Sequence, residues 1–224
     1  EGILPVKERD KLISHVESAG GRVNWRSMPD GSKQPYELNI TYYSALAIPE
    51  DTRLGAARFL CSQALALSMR GIPGIYFHSL TATENYEEGV EATGQNRTIN
   101  RRKWQVPELL EHLNEGVGKL VFTRYTRMLR RRTEYPAFHP DAPQEVFEVN
   151  ANIFAHKRTS LDGEQTIYCI FNLSGKEKNL KLRLDELFEE TEVFYDILRA
   201  REYKAGKRGY SIQPYQALWL VPRG

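Results

Sequence analysis

Apolar residues recur at helical spacing through the first part of the chain and alternate in the last third. Residues 7–19 place Leu12, Ile13 and Val16 on one stripe and stop at Gly20-Gly21, which predicts a helix closed by glycine. Residues 21–34 are polar and turn-rich around Met28-Pro29-Asp30-Gly31 and read as a loop. Residues 39–46 are rich in β-formers, but too short to assign. Residues 53–69 are apolar around most of a helical circumference, so this helix is expected to be buried on several sides. Arg70-Gly71-Ile72-Pro73 ends it, and residues 74–77 are short and apolar, the pattern of a buried parallel strand. The polar stretch 79–103 follows; a structureless loop of that length in a compact protein is usually functional or disordered. Residues 107–113 and 117–132 predict two more helices.

From residue 142 the pattern changes. Residues 146–149, 152–157, 166–172, 179–184, 192–198 and 217–221 read as strands, most clearly where Leu180, Leu182 and Leu184 alternate with Lys181 and Arg183. Asp162-Gly163, Ser174-Gly175 and Ala205-Gly206 supply turns. The chain therefore divides into residues 1–141, an α/β region, and residues 142–224, a small antiparallel β domain.

Composition narrows the function classes. The 224 residues are 41% hydrophobic, and 31 basic against 29 acidic side chains leave a charge of +2, so no bulk field calls for nucleic acid or an anionic membrane. Arg58, Gln63 and Arg70 interrupt the most apolar stretch well short of a membrane span. Cys61 and Cys169 lie far apart in apolar runs, which suits a reducing compartment, and the cytoplasm is the expected location. The first residues have no signal-peptide layout and no initiator Met, as expected of a piece of something longer.

Little of the chain has the spacing of known chemistry. His15, His78, His112, His139 and His156 are scattered, so no metal is expected, and with no P-loop, no G-x-G-x-x-G after a strand and no G-x-S-x-G elbow no cofactor is expected either. The tripeptides at Asn39, Asn96 and Asn172 read as chance glycosylation motifs. Lys119, Arg124, Arg127, Arg130, Arg131 and Arg132 are interleaved with Leu120, Val121, Phe122, Tyr125, Met128 and Leu129. That spacing describes a solvated or interface-facing side of an amphipathic helix rather than a nucleic-acid surface. Two polar loops remain. Residues 34–39 set the ring of Tyr36 beside the Glu37 carboxylate, and residues 94–101 set Arg97 and Arg101 among amides. A sugar wants such a mixture: a flat ring for its C–H face, carboxylate and amide for hydroxyls, arginine for an anion.

Those loops carry a resemblance. Tyr36-Glu37-Leu38-Asn39-Ile40-Thr41-Tyr42-Tyr43-Ser44-Ala45-Leu46 resembles the Tyr-Gln-x-Asn-x-Thr-Tyr-Tyr-x-Ala-Leu run of sucrose phosphorylases. Residues 71–77 resemble their Gly-Ile-Pro-Gln-Val-Tyr-Tyr strand, and residues 96–101 their Gly-Arg-Asp-Ile-Asn-Arg. Order and spacing agree over residues 36–135. The resemblance is to the sucrose phosphorylase branch of glycoside hydrolase family 13, the α-amylase superfamily. It implies the C-terminal part of a β/α barrel followed by an antiparallel β domain.

In that family a retaining double displacement uses an Asp nucleophile, a Glu acid/base and a stabilising Asp, all on earlier barrel strands. The last of them belongs to a His-Asp pair, and this sequence has no His-Asp dipeptide. A whole barrel takes roughly 250 residues. The expectation is therefore that the three carboxylates lie upstream of residue 1 and that the chain alone does not catalyse. It would need the upstream half of the barrel, or self-associate along an unpaired strand edge. The substrates implied are an α-glucoside and inorganic phosphate.

By resemblance, Tyr36 and Glu37 lie on the mobile loop that closes over the acceptor, and Arg97 meets the acceptor or phosphate. Glu37 departs from the family's Gln. An anion there would oppose phosphate or fructose unless paired, which makes Arg97 its expected partner. Tyr-Glu is more similar to the glucosylglycerate phosphorylases of the branch, where glycerate replaces fructose. A sucrose or sucrose 6'-phosphate phosphorylase is the neighbouring alternative. A non-catalytic carbohydrate-binding or structural piece is the alternative of another class.

Overall fold

The computed structural model describes residues 3–180, 193–204 and 210–223. In chain order come helix α1 (Val6–Ser18), strands β1 (Arg22–Ser27) and β2 (Lys33–Asn39), and helices α2 (Tyr42–Leu46) and α3 (Thr52–Ser68). Helices α4 (Phe77–Leu80) and α5 (Glu87–Thr93), a 3-10 turn at Asn96–Asn100, and helices α6 (Val106–Asn114) and α7 (Gly116–Glu134) follow. After a second 3-10 turn at Pro136–Phe138 come β3 (Gln144–Asn150), β4 (Ile153–Thr159), β5 (Thr166–Asn172) and β6 (Lys178–Leu180). The last strands are β7 (Val193–Asp196), β8 (Arg201–Lys204), β9 (Tyr210–Ile212) and β10 (Ala217–Arg223). Two compact units result: Glu1–Ala47 with Ile75–Phe122, and Ile48–Gly74 with Thr123–Gly224.

In the first unit α1 buries Ile13 and Val16 and ends as expected, with Gly20 in the left-handed region at φ 76°. Residues 21–34, read from the sequence as a loop, instead form β1, a tight turn and the start of β2. The two strands pair antiparallel from Arg22↔Asn39 to Ser27↔Lys33. Their residues are mostly exposed, so no apolar alternation marks them; the turn closes the hairpin instead. Asp30 accepts from the Ser32 amide at 2.9 Å, and the Met28 amide donates to the Ser32 carbonyl at 2.9 Å. Beyond β2, Thr41 caps α2 by accepting from the Ser44 amide at 3.2 Å. The stretch 79–103 is not structureless: α5 and the Asn96–Asn100 turn occupy it, and Ile99 is fully buried there.

The expected parallel strand at 74–77 is not formed. Tyr76 keeps extended dihedrals (φ −81°, ψ 135°) without a ladder, and α4 begins at Phe77. The physical reason is the missing partners: a barrel strand is fixed by hydrogen bonds to a strand on either side, and all paired strands described here are antiparallel. Ile72, Tyr76 and Phe77 are left exposed.

The second unit is built on a six-stranded antiparallel sheet in the order β3-β4-β5-β10-β7-β8, with β6 and β9 paired separately. The last strand, β10, thus sits between β5 and β7. Ile153, Ala155, Ile170, Phe194, Leu218 and Leu220 form its core. Strands β3, β4, β5, β7 and β10 fall on stretches read as strands from the sequence; β8 and β9 do not. Of the strand read at 179–184 only the start falls in β6. Leu182 and Leu184, and the turn at Ala205-Gly206, lie outside the described residues.

Helix α3 buries Phe59, Leu60, Cys61, Ala64 and Leu67, as its all-round apolar surface requires. Its last carbonyls have no helical donors and are met by arginines. Arg158 donates to the Ser68 carbonyl at 2.9 Å, and Arg132 donates to the carbonyls of Leu67 and Gly71. Arg132, read from the sequence as part of a solvated or interface-facing stripe, is therefore a buried cap. Cys61 and Cys169 are buried free thiols, and burial pushes Cys61 up to about 12.

Candidate functional site

The first unit brings Tyr36, Glu37 and Arg97 together. The β1–β2 register carries them there. Asn24 faces Glu37, but its neighbour Trp25 faces Pro35, so Tyr36 is an extra residue on β2. Such a bulge re-aims side chains. Tyr36 is left 63% exposed, while Glu37 turns toward the Asn96–Asn100 turn.

That turn is anchored from behind. Ile99 is buried, its carbonyl accepts from the Tyr86 amide at 2.9 Å, and the Thr98 hydroxyl lies 2.8 Å from that of Thr93. Arg97 then donates through Nε to Glu37 Oε2 at 2.8 Å, which is the pairing expected from the charge at position 37. Asn24 Nδ2 donates to the same Oε2 at 3.0 Å, and Asn24 Oδ1 accepts from Asn96 Nδ2 at 2.6 Å. The carboxylate is thus held by two donors on one oxygen, and Oε1 is engaged by neither.

The electrostatics follow. Arg97's hydrogen bond, with smaller contributions from Asn24 and from the charges of Arg97 and Arg101, holds Glu37 below the usual carboxylate range against a modest desolvation. Glu37 in turn raises Arg97, with a smaller hydrogen-bonded contribution from Tyr36. Arg97 binds Glu37 through Nε, so its terminal amino groups, with the Tyr36 phenol beside them, remain as donors. A hollow of about 140 Å³ adjoins Tyr36 and Glu37, walled across from them by Arg9, Leu12 and Ile13 of α1. The arrangement can accept from a hydroxyl at Oε1 and donate to an anion at Arg97.

Sequence reasoning missed Asn24, because it lay in a segment taken as a loop, and Asn96, whose role needs Asn24. The signal available was Asn96 directly preceding Arg97 in the second polar loop. Among the described residues no helix is long and apolar enough to cross a membrane, and no three His, Cys, Asp or Glu side chains gather to hold a metal.

With this geometry in place, the likeness to known proteins has two layers. No family model matches the chain. Among solved structures, sucrose 6F-phosphate phosphorylase from Thermoanaerobacter thermosaccharolyticum superimposes with a TM-score of 0.63 at 22% identity, over 77% of this chain and 33% of that one. This shows the fold: the C-terminal part of a β/α barrel followed by an antiparallel β domain. In sequence, the glucosylglycerate phosphorylase of Spirochaeta thermophila is 39% identical over 99% of this chain and 39% of its own length. The sucrose 6(F)-phosphate phosphorylase of Thermoanaerobacterium thermosaccharolyticum is 35% identical over 62% of this chain and 27% of its own length. The chain spans well under half the length of these curated relatives.

Proposed function

We propose that the whole protein is a retaining α-glucoside phosphorylase acting on glucosylglycerate, exchanging phosphate for glycerate to give glucose 1-phosphate. The observation that carries this reading is the Glu37–Arg97 pair at 2.8 Å. A lone carboxylate beside the acceptor would repel phosphate; paired, it presents Oε1 to a glycerate hydroxyl while Arg97 keeps donors for the glycerate carboxylate or the entering phosphate. The extent of likeness supports the same acceptor, since the glucosylglycerate phosphorylase matches over 99% of the chain and the sucrose 6(F)-phosphate enzyme over 62%. A sucrose or sucrose 6'-phosphate acceptor is the second reading, and the solved sucrose 6F-phosphate phosphorylase favours it only at the level of fold.

In this reading residues 1–141 complete a barrel, residues 142–224 form its β domain, and the upstream half supplies the nucleophile, acid/base and stabilising carboxylates. The exposed Ile72, Tyr76 and Phe77 fit a segment that waits for neighbouring strands. The chain alone is then silent toward glucosylglycerate and sucrose, and adding the upstream half restores phosphate uptake.

The deciding experiment compares kcat/KM of the whole protein for glucosylglycerate and sucrose, in the wild type and in Glu37→Gln. Glucosylglycerate is preferred, and Glu37→Gln moves the ratio toward sucrose by about tenfold or more, the worth of one charged hydrogen bond. A wild-type preference for sucrose sinks the assignment.

A further inference from the structure

The second unit contains a cavity of about 270 Å³ between α3, α7 and the turns that carry Leu198–Arg199 and Tyr215. Its floor is apolar, with Leu60, Cys61 and Ala64 from α3 and Met128 from α7. Its rim is cationic: Arg124 and Arg127, one helical turn apart on α7, and Arg199 opposite.

Nothing on the two helices balances this charge. Helix α3 carries no Asp or Glu, and the only acid of α7 is Glu134, which Arg131 binds at 2.7 Å. Asp196, fully buried, takes Arg199 at 3.1 Å and neutralises that guanidinium alone. Glu202, on the adjoining strand, is held by Arg223 at 3.3 Å. Among the described residues, Arg124 and Arg127 therefore have no acidic partner. Desolvation, then the fields of Arg199 and Arg127, push Arg124 below the usual guanidinium range. Arg58 adds a further cation, stacked over the Tyr215 ring at 5.8 Å.

The backbone of the wall is also unusual. Ala200 and Tyr215 occupy the left-handed region at φ 54° and 51°, one in each turn that borders the cavity. Non-glycine residues held there cost about 1–3 kcal/mol each and gather where a surface is shaped for a ligand.

We propose that this cavity binds a phosphate monoester, its phosphate between Arg124 and Arg127 and its organic part on the floor of Leu60, Ala64 and Met128. The charge fits, because a phosphate monoester carries about −1.5 to −2 near neutral pH, whereas a monocarboxylate would leave one arginine unbalanced. The geometry fits too, since guanidinium forks match phosphate oxygens in pairs. The apolar floor selects a compact, largely apolar ester over a free ion or a sugar phosphate.

The test is calorimetric titration of the chain with inorganic phosphate and with phenyl phosphate at constant ionic strength. Phenyl phosphate saturates one site and binds about tenfold more tightly than inorganic phosphate, the worth of burying roughly 60 Å² of ring. Arg124→Gln and Arg127→Gln each weaken it by about tenfold or more, and both exposed changes leave the thermal midpoint in place. Arg97→Ala separates this site from the acceptor loop, where phosphate is also expected, and leaves phenyl phosphate binding intact. No saturable binding, equal affinity in the Arg124 and Arg127 variants, or loss on Arg97→Ala alone would each overturn the assignment. The last of these would still leave the acceptor-loop reading standing.

Discussion

Two arginines, one in each unit, show how the same side chain serves structure or recognition. Arg158 on β4 is fully buried, and its guanidinium gives hydrogen bonds to four backbone carbonyls, those of Ser68, His139, Ala142 and Pro143, at 2.6–3.3 Å. Every one of its nitrogens has an acceptor and the group is closed off from solvent, so it is not placed to meet a ligand. Arg97 is 47% exposed on its side chain and is fixed to Glu37 through Nε alone. A buried guanidinium engaged at every nitrogen is a staple; one oriented by a single nitrogen is held ready. The difference lies in backbone supply. Helix α3 ends with orphan carbonyls that Arg158 and Arg132 must satisfy, while carbonyls of the Asn96–Asn100 turn are met by the Tyr86 amide and the Tyr76 hydroxyl and ask nothing of Arg97.

The largest expected effect breaks the structural side of this contrast. Arg158→Met keeps the buried stem but strands several buried carbonyls, and destabilises the chain by about 3–5 kcal/mol. Arg97→Met, of the same chemistry, leaves the urea midpoint almost unmoved because the pair is solvated. Equal losses in the two variants would abolish the distinction.

Next in size is an acid dependence in the same buried network. His156, fully buried and 2.9 Å from the Ser68 hydroxyl, is pushed down to about 4 by burial and then by Arg158. The unfolded chain takes up this proton near the ordinary histidine value of about 6.5, the folded chain only near 4, so the unfolded state binds more protons in between. Stability is full above about 6.5 and falls as pH drops, by up to about 1.4 kcal/mol per pH unit across that window. His156→Gln flattens this slope in urea titrations between pH 7 and 4. A slope that survives the substitution belongs to other groups.

These elements differ in how far the sequence discloses them. Helices α3 and α7 and strands β4, β5 and β10 are legible because burial marks many residues at once: α3 is apolar nearly all round, α7 carries an apolar stripe, and β5 and β10 are near-continuous apolar runs. His156 and Arg158 are not, since they lie on the face of β4 opposite Ile153 and Ala155, for polar groups at the end of α3 that only the assembled fold brings there. The hairpin is hidden for the opposite reason: β1 and β2 face water, so turn chemistry and pairing fix them without an apolar mark. The strand at 74–77 misleads because a short apolar run does not pair by itself: no strand among the described residues lies beside it, and Ile72, Tyr76 and Phe77 stay exposed. At the site, the two polar loops offer Tyr36, Glu37, Arg97 and Arg101 by residue type, the resemblance singles out Arg97, and the charge at position 37 calls for its pairing; Asn24, which shares the carboxylate, carries no such mark.

A smaller effect probes the support behind Arg97. A methyl group on Gly89 of α5 would run into the Tyr86 ring and come within 2.8 Å of Thr98 Cγ2. Gly89→Ala therefore costs about 1–3 kcal/mol and displaces the turn that carries Arg97. Its signature in urea unfolding and in the kcat/KM of the whole protein is loss in both. Lost stability with unchanged turnover would mean that the turn holds its place without α5.

The smallest effect sharpens the recognition side. Asn24 and Arg97 share Glu37 Oε2, and Arg97 makes the larger contribution to holding the carboxyl below its usual range. Removing a donor to the charged form must raise the carboxyl, so Asn24→Ala lifts the Glu37 titration modestly and Arg97→Ala lifts it further. Carboxyl-carbon NMR of Glu37 reads both shifts directly. The order matters for mechanism. If Asn24→Ala raises Glu37 as far as Arg97→Ala does, the hairpin sets the charge and Arg97 is not its keeper. If the order holds, an arriving anion that draws Arg97 away leaves Glu37 easier to protonate, and the acceptor loop couples anion binding to the proton on its own carboxylate.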